Sequence, residues 1–355
     1  MRDDAGDART RGREFLPRVP RRPGEYVSAG KVADLDQLAT ATLSHVVGGA
    51  ADGCRALDLR TAGGIDLRIL PDRGFDLGPA WFRGVPLAWI SAVGERPPLD
   101  SLDGMAWIEA FGGGLVTTCG LRNVGAPSEG HGLHGRYSHL RASDVRVDRE
   151  LEDGDVVLTA RATVDEMETP SAHLRVERTV RTRTGTGLVE LTDVTTNLGV
   201  APEPAPILYH VNVGIPLFDE GARVEIDSED VLPRDADAER GLDSWMAPGP
   251  PEPGAAEMVF EHRVRPDPSG WSRAGVVNPS LGLELDVRWR NAELPRFHQW
   301  VHPRPGIYVL GLEPANCSVL GRVADRAAGV LPMLEPLEAR TTELRISVRP
   351  APGAA

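Results

Sequence analysis

Apolar and polar residues alternate with a period of two along most of the chain, the signature of strands buried on one face. Over 174–180, Leu174, Val176 and Val180 share one face, while Arg175, Glu177, Thr179 and Arg181 take the other. The same period recurs over 57–59, 65–70, 156–164, 189–194, 224–226, 283–287, 307–312 and 344–348. Thr184-Gly185-Thr186-Gly187 reads as a hairpin turn into the following strand. Helical periodicity is scarce. It predicts one short helix over 100–111, stopped by Gly112-Gly113-Gly114, and another over 34–47. Many short strands, closely spaced turns and no strand–helix alternation predict an all-β antiparallel sandwich or barrel. No repeat spaced by roughly 20–50 residues supports a propeller or solenoid.

Gly and Pro, 39 and 30 of 355 residues, punctuate the apolar runs as turns. The linker-like stretch 247–256 has strand patterns on both sides, which predicts a surface loop. We therefore expect a flexible N-terminal segment over 1–26 and a single domain over 27–350. The first segment has no apolar core and reads as no signal peptide. No window approaches the roughly 20 apolar residues of a membrane span. A cytoplasmic protein without a membrane partner is expected, as a monomer or homodimer. Acidic side chains number 52 against 39 basic ones, a net charge of −13, which argues against nucleic acid as a partner.

Cys54, Cys119 and Cys317 are widely spaced and odd in number, so neither a disulfide framework nor a Cys-x-x-Cys metal site is expected. Lys31 is the only lysine and lies in Ala29-Gly30-Lys31-Val32, which excludes a Walker A loop and Schiff-base chemistry.

Five islands combine glycine turns with functional side chains: Pro71 to Asp76, Phe111 to Gly125, Glu129 to Arg136, Tyr209 to Asn212, and Phe297 through Pro314. His131 and His134 lie among glycines, hence on a loop or strand end, where sites on β scaffolds concentrate. Histidine titrates near neutrality, and a desolvated Glu313 would serve as a base, so together they form a kit for moving protons between oxygens. No serine sits in Gly-x-Ser-x-Gly and no cysteine lies beside a histidine, so no activated nucleophile is offered. His139, His173 and His298 read as structural hydrogen-bonders, and Asp72-Arg73 as either a turn-stabilising ion pair or part of a site. Glu129, His131 and His134 form an alternative metal-ligand set. Trp81, Trp89, Trp107 and Trp300 read as core, with one available to stack on a sugar.

The segments DRGFDLGPAWFRGVPLAWIS, FGGGLVTTCGLRNVGAPSEGHGLHGRYSH, LYHVNVGIPLFDEG, FHQWVHPRPGIYVLGLEPANCSVLGR and LPMLEPLEARTTELRISV resemble the aldose 1-epimerase (galactose mutarotase-like) superfamily, in its branch with a domain of unknown function. The resemblance implies a large antiparallel β-sandwich and a small-molecule carbohydrate as partner, with no cofactor. It implies Glu313 as general base, His210 as general acid and His134 as a sugar ligand near the ring oxygen. Arg73 and Asp76 are implied as substrate-binding residues, with Asn123 standing near the place of the family's Gly-Arg-x-x-Asn-Arg motif. His131 and Asn212 complete the expected sugar-binding set, and Asp219 or Gln299 would replace the family's sugar-binding aspartate. The reading this favours is anomer exchange of a free sugar or sugar acid. Its alternatives are isomerisation through an enediol, metal-assisted by Glu129, His131 and His134, and carbohydrate binding without catalysis.

Overall fold

The computed structural model describes residues 22–352, apart from 171 and 248. Of the N-terminal segment expected to be flexible, residues 1–21 lie outside the described ones. Pro23–Ser28 forms a short helix that opens on a proline, where a missing N–H costs nothing, and buries Pro23 and Gly24.

Among the described residues, period-two alternation has built two large antiparallel sheets. The first has eleven strands, ten along one path and a short one, Val85–Pro86, paired off it to Asp76–Phe82. Its path runs Ala39–His45, Arg55–Thr61, Ile65–Leu70, Asp76–Phe82, Val116–Gly120, Ile207–Val213, Val309–Ala315, Arg296–His302, Met258–Val264 and Ser228–Pro233. The second has eight strands and includes Ala172–Arg183 and Leu188–Asn197, joined by the turn at 184–187. The faces pack on each other through residues such as Leu67, Leu77, Tyr209 and Leu312 from the first sheet and Leu158, Val176, Leu191 and Leu344 from the second. Each large aliphatic side chain fully buried there contributes about 1.5–3 kcal/mol.

A polar cross-link bridges the sheets inside this core. Arg178 is fully buried and donates to both oxygens of Asp193, at 2.8 and 2.7 Å, and to Asp76 Oδ1 at 2.7 Å. Tyr209 donates its hydroxyl to the same Asp193.

Two expected helices are corrected. Over 34–47 only Leu35–Gln37 makes a 3₁₀ turn, and Ala39–His45 is a strand paired with Arg55–Thr61. The β-branched Thr40 and Thr42 suit that ladder, and tertiary pairing overrides the local period. Over 100–111 only Ala106–Ala110 is helical, as a 3₁₀ turn, because Gly104 takes φ +57° and breaks the chain direction just before it. The described residues of the stretch 247–256 form a surface loop ahead of Met258–Val264. No described helix is long and apolar enough to cross a membrane.

Candidate active site

Four neighbouring strands of the first sheet carry the site. Glu313 pairs with His298 across one strand boundary. The register Val211↔Leu312 and Asn212↔Gly311 sets His210 opposite Glu313 across the other, and His210 pairs in turn with Thr117. Side chains alternate between faces along a strand. His298, Glu313, His210 and Thr117 therefore form one row on the outer face, while Phe297, Tyr209 and Leu312 enter the core. Gly311 makes room for the row: a Cβ there would stand 2.6 Å from Glu313 Oε1 and 3.1 Å from His210 Cε1.

His210 Nε2 lies 3.1 Å from Glu313 Oε1, without the alignment of a hydrogen bond. Burial dominates the electrostatics of both groups. It pushes the Glu313 carboxyl up to about 8, with the nearby Glu257 charge adding to the rise. It pushes His210 down to about 3, assisted by repulsion from His134. At neutral pH the pair is thus a protonated acid beside a neutral imidazole, not an ion pair.

His134 reaches the site from a loop and sits in the left-handed region at φ +56°, a conformation non-glycine residues hold only when their surroundings require it. Its Nδ1 accepts the N–H of Gly125 at 3.4 Å, which assigns the ring proton to Nε2. Its ring packs on Trp107, 4.6 Å between centroids, and edge-on to His210 at 6.3 Å. Burial lowers its pKa to about 4, so it too is neutral and able to donate. Trp89, Phe111 and Trp300 complete an aromatic wall around His210.

The sequence reading missed a charged pair that acts on this row. Glu257 accepts from Trp300 Nε1 at 2.9 Å and from Arg234 at 3.0 Å. Its charge raises the pKa of both Glu313 and His134, and Arg234 lowers both. The signal available was a carboxylate placed directly where the Pro/Gly-rich loop enters a strand.

Several expected ligands are committed elsewhere. Gln299 sits on the core side of its strand, accepting from His262 and donating to the Trp245 carbonyl, because it is one residue out of phase with His298 and Trp300. Asp76 is held by Arg178 and by the backbone and hydroxyl of Thr118. Asn123 donates to the carbonyls of Ala126 and Gly132 and accepts from the Arg322 N–H, so its amide is used up tying loops together.

Arg73 is buried and donates to the carbonyls of Ser138, Ala110 and Arg96, while its neighbour Asp72 pairs with Arg55 and Arg141 and not with it. Asp219 lies in an exposed turn. Asn212 does share the face of His210, with its amide on the Gly114 and His210 carbonyls and Oδ1 buried without a partner.

The alternative metal set does not assemble. Arg322 stands between its first two members, 2.7 Å from Glu129 Oε2 and 2.8 Å from His131 Nε2, putting a cation where a metal would need to sit. His134 faces the other site. Among the described residues no cluster of three or more His, Cys, Asp and Glu side chains is arranged to hold a metal ion.

His173 pairs with Asp165, His139 accepts from the Leu99 N–H, and His298 faces the Cys317 carbonyl at 3.1 Å, each a structural hydrogen bond. The three cysteines are buried and free.

The fold is that of a galactose mutarotase-like β-sandwich, as the motif resemblance implied. Residues 51–348 match the family described as a domain of unknown function, DUF4432, and the chain belongs to that family. It is similar to a crystal structure from Klebsiella pneumoniae named "putative aldose 1-epimerase", at TM-score 0.83 and 26% identity, covering 88% of this chain and 86% of that one. A galactose mutarotase-like protein from Clostridium acetobutylicum shares the fold at TM-score 0.60 and 14% identity, over 89% of this chain and 100% of its own. A protein from Salmonella typhimurium named "putative mutarotase" does so at TM-score 0.56 and 10% identity, over 90% and 96%. No curated protein sequence matches the chain.

Proposed function

We propose that this protein is a carbohydrate epimerase of the aldose 1-epimerase kind, exchanging the anomers of a free sugar or sugar acid. The observation that carries the reading is the meeting of Glu313 and His210, about a hundred residues apart in the chain, 3.1 Å from each other on one face.

The resting pair holds one exchangeable proton, on Glu313, beside the neutral imidazole of His210. Hydroxyl donors of an arriving sugar favour the carboxylate, and the proton passes across the contact to His210. Glu313 then removes the proton from the anomeric hydroxyl while His210 delivers its own to the ring oxygen. The bond from C1 to the ring oxygen breaks and a C1 carbonyl forms. Rotation about the C1–C2 bond and reversal of the same transfers close the ring to the other anomer. His134, with its proton on Nε2, steadies the ring oxygen. Only protons move, so the scheme calls on no redox or group-transfer cofactor.

Magnetisation-transfer NMR on a panel of aldoses and sugar acids tests this directly. Accelerated anomer exchange that Glu313→Gln abolishes is the expected result. Wash-in of solvent deuterium at carbon would instead indicate an enediol isomerase, and saturable binding without exchange a carbohydrate-binding protein.

A further inference from the structure

The Phe111 ring packs directly against the ring of His210. Their centroids lie 5.3 Å apart at 58°, a distance at which aromatic rings touch and nothing fits between them. The same ring stacks on Trp107 at 4.5 Å and contacts Trp89 and Trp300 at 5.7 and 6.3 Å. His210 and Glu313 are left only 5% and 3% exposed.

Phe111 is also clamped through its backbone. Its carbonyl accepts from Ser91 Oγ at 2.6 Å, the Gly112 carbonyl accepts from the Ser91 N–H, and the Ala110 carbonyl accepts from Arg73. Gly113 turns at φ +75° with the Trp89 carbonyl 2.4 Å from where a Cβ would be, so the segment fits closely against its neighbour. Arg73 thereby acts on the site through the loop that it holds.

We infer that Phe111 is the specificity-determining residue of this site and that it selects short aldoses, tetroses and pentoses, over hexoses. The inference rests on the epimerase reading. A substrate has to reach Glu313 past the Phe111 ring, and the hydroxymethyl group that a hexopyranose carries on C5, beside the ring oxygen addressed by His210, meets that ring. Pocket walls of this kind discriminate by about 10–200-fold per added carbon group.

The test is anomer-exchange kcat/KM for erythrose, ribose, xylose, glucose and galactose on the wild type, Phe111→Leu, Phe111→Ala and Phe111→Tyr. The wild type should favour the shorter sugars. Trimming should raise the hexose-to-pentose ratio by roughly tenfold or more, alanine beyond leucine, and tyrosine should keep the wild-type order. A ratio unchanged in both trimmed variants, or hexoses turned over as well as pentoses by the wild type, overturns the assignment.

If no protein in the series exchanges any aldose, it is the epimerase reading that fails. Tryptophan-fluorescence titration with the same sugars then decides Phe111 separately. Hexose binding gained on trimming supports its role, and equal or absent binding throughout removes it.

Discussion

Glu313 and His210 face each other across paired strands at 3.1 Å, and burial leaves both uncharged at neutral pH. A neutral acid beside a neutral base becomes a carboxylate beside an imidazolium when one proton crosses the contact, and that is the charged state in which the proposed scheme acts.

Glu313→Gln keeps the shape of the side chain and removes the titration. Turnover should fall by about 10²–10⁴-fold, as when a positioned acid or base is lost, and His210→Ala should do likewise. A stability readout checks the same residue independently of activity. The folded carboxyl keeps its proton up to about pH 8, whereas the unfolded one loses it near 4.5. Wild-type stability therefore carries a loss that grows from pH 4.5 to about 8. Urea denaturation should show Glu313→Gln gaining on the wild type across that window.

Buried histidines produce the opposite slope at lower pH. His131, His134 and His262 are pushed down to about 4, and His139 and His210 to about 3, from an ordinary 6.5, burial being the largest cause in each. Below 6.5 the unfolded chain takes up protons that the folded one refuses. Their contribution is complete above 6.5 and declines as pH falls towards 4 and 3. His262 is a clean probe, holding Gln299 Oε1 and Ser228 Oγ away from the site row. His262→Gln should flatten the fall in unfolding free energy between pH 6.5 and 4.

The strands were legible because burial on one face leaves a period-two trace, and Glu313, His210 and His134 because each stands in a short motif. What failed was knowledge of faces and of distant partners. Gln299 lies between His298 and Trp300, and a one-residue phase places it in the core. Asp76 reads as a free carboxylate until Arg178, a hundred residues on, is folded against it. The strand Ala39–His45 reads as helix because its pairing partner, and not its own pattern, decides its state. Phe111 and Glu257 sit at loop ends, where local periodicity carries no information about direction.

Arg178 neutralises two carboxylates in the core, Asp76 and Asp193. Arg178→Met strands both without a cation and should cost about 3–5 kcal/mol, the usual penalty for breaking a buried pair from one side. Asp76→Asn leaves Arg178 paired with Asp193 and should cost less, about 1–3 kcal/mol. Equilibrium denaturation distinguishes them, and equal costs would show that the two links are not independent.

The Glu257–Arg234 pair should tune the pH profile of the reaction in two opposite directions. Glu257 raises the Glu313 pKa and Arg234 lowers it. Glu257→Gln removes the negative charge and leaves Arg234 acting alone, so the alkaline limb of kcat/KM, where Glu313 loses its proton, should move to lower pH. Arg234→Gln leaves Glu257 alone and should move it higher. Loss of positioning would reduce activity in both variants without reversing the sign, so the reversal isolates the electrostatic effect. Glu257 is 44% exposed at its side chain and Arg234 29%, so solvent screens both charges. The displacements should therefore be fractions of a pH unit and should shrink as salt is added. Limbs that move together, or stay put at low ionic strength, would show that this pair does not act on Glu313.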